Sequence, residues 1–190
     1  MVIGITGQIA TGKSSLSYIF SQNGFVVFDA DIVYKQLFDS NQLLRQEIFN
    51  HFGSLDKKVI LNKVLKNKEM VAILNTITHK YVIIEIYDFL NNNKDKNIVL
   101  DVPIPVEKGF IDLCDIIIVT TASTITQKLR LLERYGIDEQ QAEDRINMQM
   151  TMNEYIKIGD IILNTDKTNR NDLNDFFNIV NSTYMNSNKH

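Results

Sequence analysis

The stretch Gly7-Gln8-Ile9-Ala10-Thr11-Gly12-Lys13-Ser14 constrains this chain more than any other. Its G-x-x-x-x-G-K-[ST] spacing is that of a loop that cradles phosphates. Such a loop needs a strand before it and a helix behind it. Val2-Ile3-Gly4-Ile5 reads as a buried strand, and Leu16, Ile19 and Phe20 recur at helical spacing after the loop. Loop N–H groups and the positive end of the helix dipole then converge on one polyphosphate. Lys13 would reach the outer phosphates and the Ser14 hydroxyl would be a ligand of Mg²⁺. A nucleotide-binding α/β fold is the reading that follows.

Composition narrows the partners. The 190 residues are enough for one domain with insertions, and 44% hydrophobic with 23% charged content is ordinary for a globular protein. A net charge of −3 argues against a general nucleic-acid binder, whose footprint would be basic. No run is long and apolar enough to span a bilayer, and no signal-peptide pattern opens the chain. The single Cys114 excludes an internal disulfide and fits a reducing compartment, so a cytoplasmic location is expected. Arginine is scarce: Arg45, Arg130, Arg134, Arg145 and Arg170 are the whole set, and three of them share one segment.

Taken in order, the chain alternates apolar runs with helical patterns. Asn23-Gly24 stops the first helix, and Phe25-Val26-Val27-Phe28 reads as a second strand delivering Asp29-Ala30-Asp31. If extended geometry persists there, both carboxylates project to one face, at the strand end where open α/β sheets bind ligands. Residues 32–96 read as helices, with a cap at Ser40 or Asn41, a break at Phe52-Gly53 and a long helix from Met70 to Leu90. That is more than a crossover needs, and a substrate-binding insertion is expected. Ile98-Val99-Leu100 is the third strand and ends at Asp101-Val102-Pro103-Ile104-Pro105, which holds both prolines of the chain.

Ile116–Val119 is the fourth strand and Ile161-Ile162-Leu163, ending at Asn164, the fifth. Between them, Ile125–Tyr135 and Glu139–Met150 read as two helices around Gly136. Arg130 and Arg134 share a face at i, i+4, and Arg145 lies on the second helix. A solvated hairpin laced with surface ion pairs is the plain alternative; beside a phosphate loop, a mobile lid over the nucleotide is favoured. Leu173, Phe176, Phe177, Val180 and Tyr184 pattern a closing helix, and Met185–His190 reads as a frayed tail.

In sum these motifs resemble the dephospho-coenzyme A kinase family, within the nucleoside-monophosphate-kinase-like P-loop proteins. The resemblance runs through Thr6–Ser15, Asp29-Ala30-Asp31, His79, Asp101-Val102-Pro103 with Glu107, Gln127, Arg130, Arg134, Arg145, Gln149 and Gly159–Asn164. It departs from the family at Gln8 and Ala10, where glycine is usual, and at Lys80, where a proline usually follows the histidine. Asn62-Lys63, Pro105, Met152 and Tyr155 depart as well. The resemblance implies an α/β fold: a five-stranded parallel P-loop kinase core (residues 1–31, 97–122 and 159–190), a helical substrate-binding insertion (32–96) and a helical lid (123–158). It implies ATP and dephospho-coenzyme A as substrates, with the 3′-hydroxyl of the acceptor's ribose phosphorylated. A monomer is expected, with no nucleic-acid or membrane partner.

Carried onto these residues, the resemblance assigns the ATP phosphates to the loop, namely Gly7, Ala10, Thr11, Gly12, Lys13, Ser14 and Ser15, with Arg134 and Asn164 completing the donor site. Asp31 is the candidate to orient the attacking hydroxyl and take its proton; Asp29 could exchange that role or hold Mg²⁺, and Asp101 competes for the metal together with Ser14. Lys13, Arg130 and Arg145 would neutralise charge in transfer. Asp29, His79 and Pro103 complete the acceptor list, although a histidine on an amphipathic helix is as often a packing residue. The rivals are another small-molecule P-loop kinase, such as a nucleoside monophosphate kinase, and a nucleotide switch. Against the switch, the chain has no Asn-Lys-x-Asp signature.

Overall fold

The computed structural model describes residues 1–185; of the tail expected to fray, residues 186–190 lie outside the described residues. Strands β1 (Val2–Thr6), β2 (Val26–Asp29), β3 (Ile98–Asp101), β4 (Ile116–Thr121) and β5 (Ile161–Asn164) form one parallel sheet ordered β2-β3-β1-β4-β5. The first strand therefore ends up central, between β3 and β4. Its neighbours are reached by crossovers running in opposite directions, so the loop after β1 sits at the switch point of the sheet. All five strands match the apolar runs of the sequence.

Parallel strands read as apolar because both faces are covered. On one face, β1 packs with helix α1 (Lys13–Gln22) and helix α9 (Arg170–Val180). There Phe20, Phe25 and Phe177 meet edge-to-face, with centroids 5.0, 5.0 and 6.1 Å apart. Such pairs contribute about 0.5–1.5 kcal/mol each beyond simple burial, which fastens the closing helix to the first one. The other face is continuous with the insertion: α2 (Ala30–Ser40), α3 (Gln42–Phe52), α4 (Lys57–Lys66) and α5 (Lys68–Asn92) share a core with Phe28, Ile98, Leu100 and Phe110.

Each insertion helix starts on a side chain that accepts a backbone N–H: Asp29, Asn41, Asp56 and Asn67 are the four caps. Asn41, one of the two expected candidates, caps α3, and Gly53 ends that helix in the left-handed region.

Beyond β4, α6 (Thr124–Tyr135) and α7 (Glu139–Asn147) form a hairpin about Gly136. The second helix is shorter than the sequence pattern implies. It stops at Asn147 rather than Met150, and a further helix, α8 (Met152–Ile158), starts from a Thr151–Glu154 capping box. Met148 keeps helical dihedrals as the cap of α7, and beyond it the Gln149 side-chain amide and the Met150 carbonyl engage the loop after β1.

Candidate active site

The loop between β1 and α1 closes on itself before it meets any ligand. Gly12 is the N-cap of α1 at φ 92°, and Gly7 sits at φ 140°, where an added Cβ would run into the Thr120 carbonyl. Glycine is needed at both. Lys13 Nζ donates to the carbonyls of Gly7 (2.8 Å) and Gln8 (2.9 Å), which folds the side chain back across the loop. Thr11 Oγ1 donates to the Gln8 carbonyl and shares a 2.7 Å bond with the Thr120 hydroxyl, tying the loop to β4. Ser14 and Ser15 are exposed in the first turn of α1, and their hydroxyls make no hydrogen bond among the described residues.

Helix α6 and the chain after α7 grip the same loop through amides. Ile9 is held on both sides of its backbone: its N–H donates to Gln149 Oε1 (2.6 Å) and its carbonyl accepts from Gln127 Nε2 (2.8 Å). Gln8 Nε2 returns a bond to the Met150 carbonyl (2.7 Å). Loop residues 8–9 and residues 149–150 thus exchange two hydrogen bonds, which hold the chain after α7 against the loop.

Arg130, expected to neutralise charge in transfer, is fully engaged as a strut. Its guanidinium donates to the Ala10 carbonyl (3.0 Å), the Thr165 hydroxyl (3.0 Å) and the Thr165 carbonyl (2.6 Å). Thr165 Oγ1 donates in turn to the Thr11 carbonyl (2.8 Å). Sequence reasoning missed Thr165, which is 2% exposed. Its only local signal was its place directly after the fifth strand. Asn164, expected on the donor, instead accepts from the Asp166 N–H.

The three aspartates take different positions. The strand ends at Asp29 and α2 begins at Ala30, so Asp29 and Asp31 do not share an extended segment. Asp29 is the cap of α2, accepting from Ile32 N at 2.9 Å. Asp31 lies in the first turn, exposed at the cleft, with no hydrogen bond to a described residue. Desolvation by the surrounding walls raises its pKa, against the pull of Lys13 and of Arg134. Asp101 is 5% exposed, accepts from Ser17 Oγ (2.8 Å), and is pushed up to about 6 by burial. Burial lowers the pKa of Lys13, and the nearby carboxylates of Asp101, Asp31 and Asp29 oppose that. One ammonium therefore faces three carboxyls at the ends of β2 and β3.

Arg134 is near enough to act electrostatically on both Lys13 and Asp31. Arg145 reaches the same corner from α7. The two guanidinium groups lie over the ring of Tyr135, at 5.2 and 5.0 Å from its centroid. Sequence reasoning did not single out Tyr135. His79 lies on α5, half-buried, its pKa lowered by burial, and has no hydrogen-bond partner among the described residues. Pro103 offers its carbonyl to the Tyr155 hydroxyl at 2.7 Å.

A phosphate loop, three carboxyls and a two-arginine helical hairpin on one parallel sheet describe a small-molecule kinase, and comparison with known proteins narrows the family. The family model described as dephospho-CoA kinase matches residues 1–171. The chain belongs to the dephospho-CoA kinase family. A dephospho-CoA kinase of Fusobacterium nucleatum is 34% identical over 188 residues, covering 95% of each chain. The crystal structure of dephospho-CoA kinase from Campylobacter jejuni superposes with TM-score 0.63 at 25% identity, over 97% of this chain and 98% of that one. TT1252 from Thermus thermophilus shares the fold at TM-score 0.78 and 22% identity, over 97% of each chain.

Five of the departures from the dephospho-CoA kinase pattern have local explanations. Ala10 occupies a left-handed conformation, φ 61°, that glycine adopts without strain. Gln8 replaces glycine with a side chain that anchors the lid through Met150. Lys80 pairs with Glu47 at 2.8 Å on the insertion surface, and Lys63 donates to the Phe52 carbonyl at the end of α3. Tyr155 is fully buried against β4 residues Ile117 and Val119. Nothing in the structure explains Met152.

Proposed function

We propose that this chain transfers the γ-phosphoryl group of ATP to the 3′-hydroxyl of the ribose of dephospho-coenzyme A, giving ADP and coenzyme A. Membership of the dephospho-CoA kinase family supports the activity. The observation that carries the mechanism is Asp31. It stands without a hydrogen-bond partner among the described residues, beside Lys13 and Arg134, in the first turn of α2 where the helical insertion leaves β2. The three parts read from the sequence (core, insertion and lid) are kept as the working division, with the chemistry where they meet.

Phosphoryl transfer is mostly positioning and charge neutralisation. The N–H groups of Gly12, Lys13 and Ser14 open α1 and hold the phosphates, and Lys13 swings from the Gly7 and Gln8 carbonyls to the transferring group. Asp31 orients the acceptor hydroxyl and takes its proton as the O3′–P bond forms and the bond to the β-phosphate oxygen breaks. A pKa raised by desolvation makes it a better base than an aspartate of ordinary pKa. Arg134 and Arg145, aligned by Tyr135, neutralise the phosphoryl oxygens. Arg130 and Thr165 keep the loop in shape for the donor, with Asn164 beside them. Pro103 and His79 belong to the acceptor side.

Among the described residues no three His, Cys, Asp or Glu side chains cluster to hold a metal alone. That fits Mg²⁺, which keeps few protein ligands when phosphates supply the rest. The free Ser14 hydroxyl is the residue suited to hold it, with Asp29 or Asp101 behind, and the ion would add neutralising charge. No helix among the described residues is long and apolar enough to cross a membrane. The single cysteine of the sequence, Cys114, is free and supports a reducing, cytoplasmic setting.

The test is ADP release from ATP with dephospho-coenzyme A, AMP, CMP, shikimate or no acceptor. Stimulation by dephospho-coenzyme A alone is the expected result. Stimulation by a different acceptor would keep the phosphate site and discard this substrate.

A further inference from the structure

Gln8 is 6% exposed, and its main chain and side chain serve different elements. The Gln8 carbonyl accepts from Thr11 Oγ1 (2.8 Å) and from Lys13 Nζ (2.9 Å). Those bonds close the phosphate loop, and any residue at this position can make them. The side chain instead leaves the loop. Its Nε2 donates to the Met150 carbonyl (2.7 Å), and its Oε1 accepts from Gln127 Nε2 (3.3 Å). Glycine, usual at this position in the family, can make neither bond.

The far ends of these bonds are the two roots of the α6–α7 hairpin. Gln127 lies near the start of α6, and Met150 follows the end of α7. Arg145 sits in the last turn of α7, one helical turn before Gln149. Between the roots, contact with the loop is apolar: Leu131, Ala142 and Ile146 form a small core with Ile9 and Ala10 packed against it. Apolar packing is non-directional, so it keeps α7 near the loop without fixing its rotation. The Lys128–Glu143 ion pair across the hairpin is solvent-accessible and contributes little.

Direction comes from two bonds after α7. The Ile9 N–H donates to Gln149 Oε1, and Gln8 Nε2 donates to the Met150 carbonyl. Two bonds define an orientation; one alone is a pivot. Removing the Gln8 side chain leaves the pivot at Ile9 and frees the root from which Arg145 is carried over Tyr135.

We propose that Gln8 is a positioning residue: by fixing the C-terminal root of α7 to the phosphate loop, its side chain sets where the Arg145 guanidinium meets the transferring phosphoryl group. The inference rests on the role given to Arg145 above and deepens it. Arg145 acts on charge that develops in transfer, so a misplaced guanidinium costs rate rather than ATP affinity. Loop closure through the Gln8 carbonyl survives a side-chain change, so the ATP site keeps its shape.

The experiment is a double-mutant cycle on Gln8→Ala and Arg145→Ala, reading the single-turnover rate of coenzyme A formation and the Kd for ATP. Gln8→Ala alone should slow transfer on the order of 10- to 100-fold, the scale of a misplacement of about 1 Å, with the Kd for ATP close to the parent value. In the Arg145→Ala background the same change should cost less than about twofold, because the group it positions is gone.

Losses that multiply in the double variant would overturn the proposal. So would a raised Kd for ATP with an unchanged rate, which assigns the side chain to the loop alone. A parent that forms no coenzyme A, or an Arg145→Ala that transfers at the parent rate, refutes the reading beneath the proposal and removes both; multiplied losses in an active parent refute the proposal alone. If Gln8→Ala melts early, Gln8→Met keeps the packing without either bond; it should slow transfer to a similar degree, and a parent-like rate there contradicts the proposal.

Discussion

Replacing Asp101 with asparagine should change how the stability of this protein depends on pH. Asp101 closes β3 beneath the phosphate loop, 5% exposed, and burial pushes its carboxyl up to about 6 despite the attraction of Lys13 and the Ser17 hydrogen bond. Its ordinary value is 3.8, so the fold binds this proton more tightly than the unfolded chain does. The stabilisation is fully present below pH 3.8 and is lost as pH rises through about 6.

The gap of 6 − 3.8, about 2.2, corresponds at about 1.4 kcal/mol per unit to about 3 kcal/mol in all. Integrated over the titration, roughly half is gone by pH 5, and about 1.4 kcal/mol is lost between pH 5 and 7.5. Asparagine does not titrate, yet keeps an oxygen for the Ser17 hydroxyl. The stability of Asp101→Asn relative to the parent should therefore grow by about 1.4 kcal/mol over that pH interval, read from urea unfolding curves. A difference that stays constant from pH 5 to 7.5, or that shrinks, refutes the reasoning.

Three other substitutions address the loop and lid. Ala10→Gly should stabilise the protein by about 0.5–1 kcal/mol, because relief at φ 61° outweighs the added freedom of the unfolded chain; thermal melting checks it. Gln127→Ala leaves the Ile9 carbonyl without its amide partner at a site 1% exposed, and should cost about 1–3 kcal/mol in urea unfolding while weakening ATP binding. Arg145→Ala should lower turnover on the order of a thousandfold with a much smaller change in ATP affinity, separated by steady-state kinetics and nucleotide titration.

The parts of this fold legible in the sequence are those written in local spacing. The phosphate loop, five apolar strands and the Gly136 hairpin follow from residues a few positions apart. The separate roles of Asp29 and Asp31 were not legible, because both fit the end of a strand and only the onset of α2 at Ala30 makes one of them a cap. The end of α7 was misread for a related reason. Ala142, Ile146 and Met150 recur every four positions and continue a helical pattern, whereas bonds to Gln8 and Ile9 hold residues 149–150 away from helical geometry.

Arg130 was legible as a site residue but not as a strut, since its partner Thr165 is 35 positions away. Tyr135 of α6 carries Arg145 of α7 on its ring, a contact across helices that local spacing does not announce. Glycine-to-Gln8 and glycine-to-Ala10 departures read as loss of flexibility in the loop; in the fold, one is an anchor and the other a small strain.

The most direct test of the central claim is the position of the new phosphate in the product formed from ATP and dephospho-coenzyme A, read by phosphorus NMR. Coenzyme A, phosphorylated on the ribose 3′-oxygen, with its formation abolished in Asp31→Asn, is the predicted result. A phosphate on any other oxygen, or ADP released with dephospho-coenzyme A unchanged, would contradict the account.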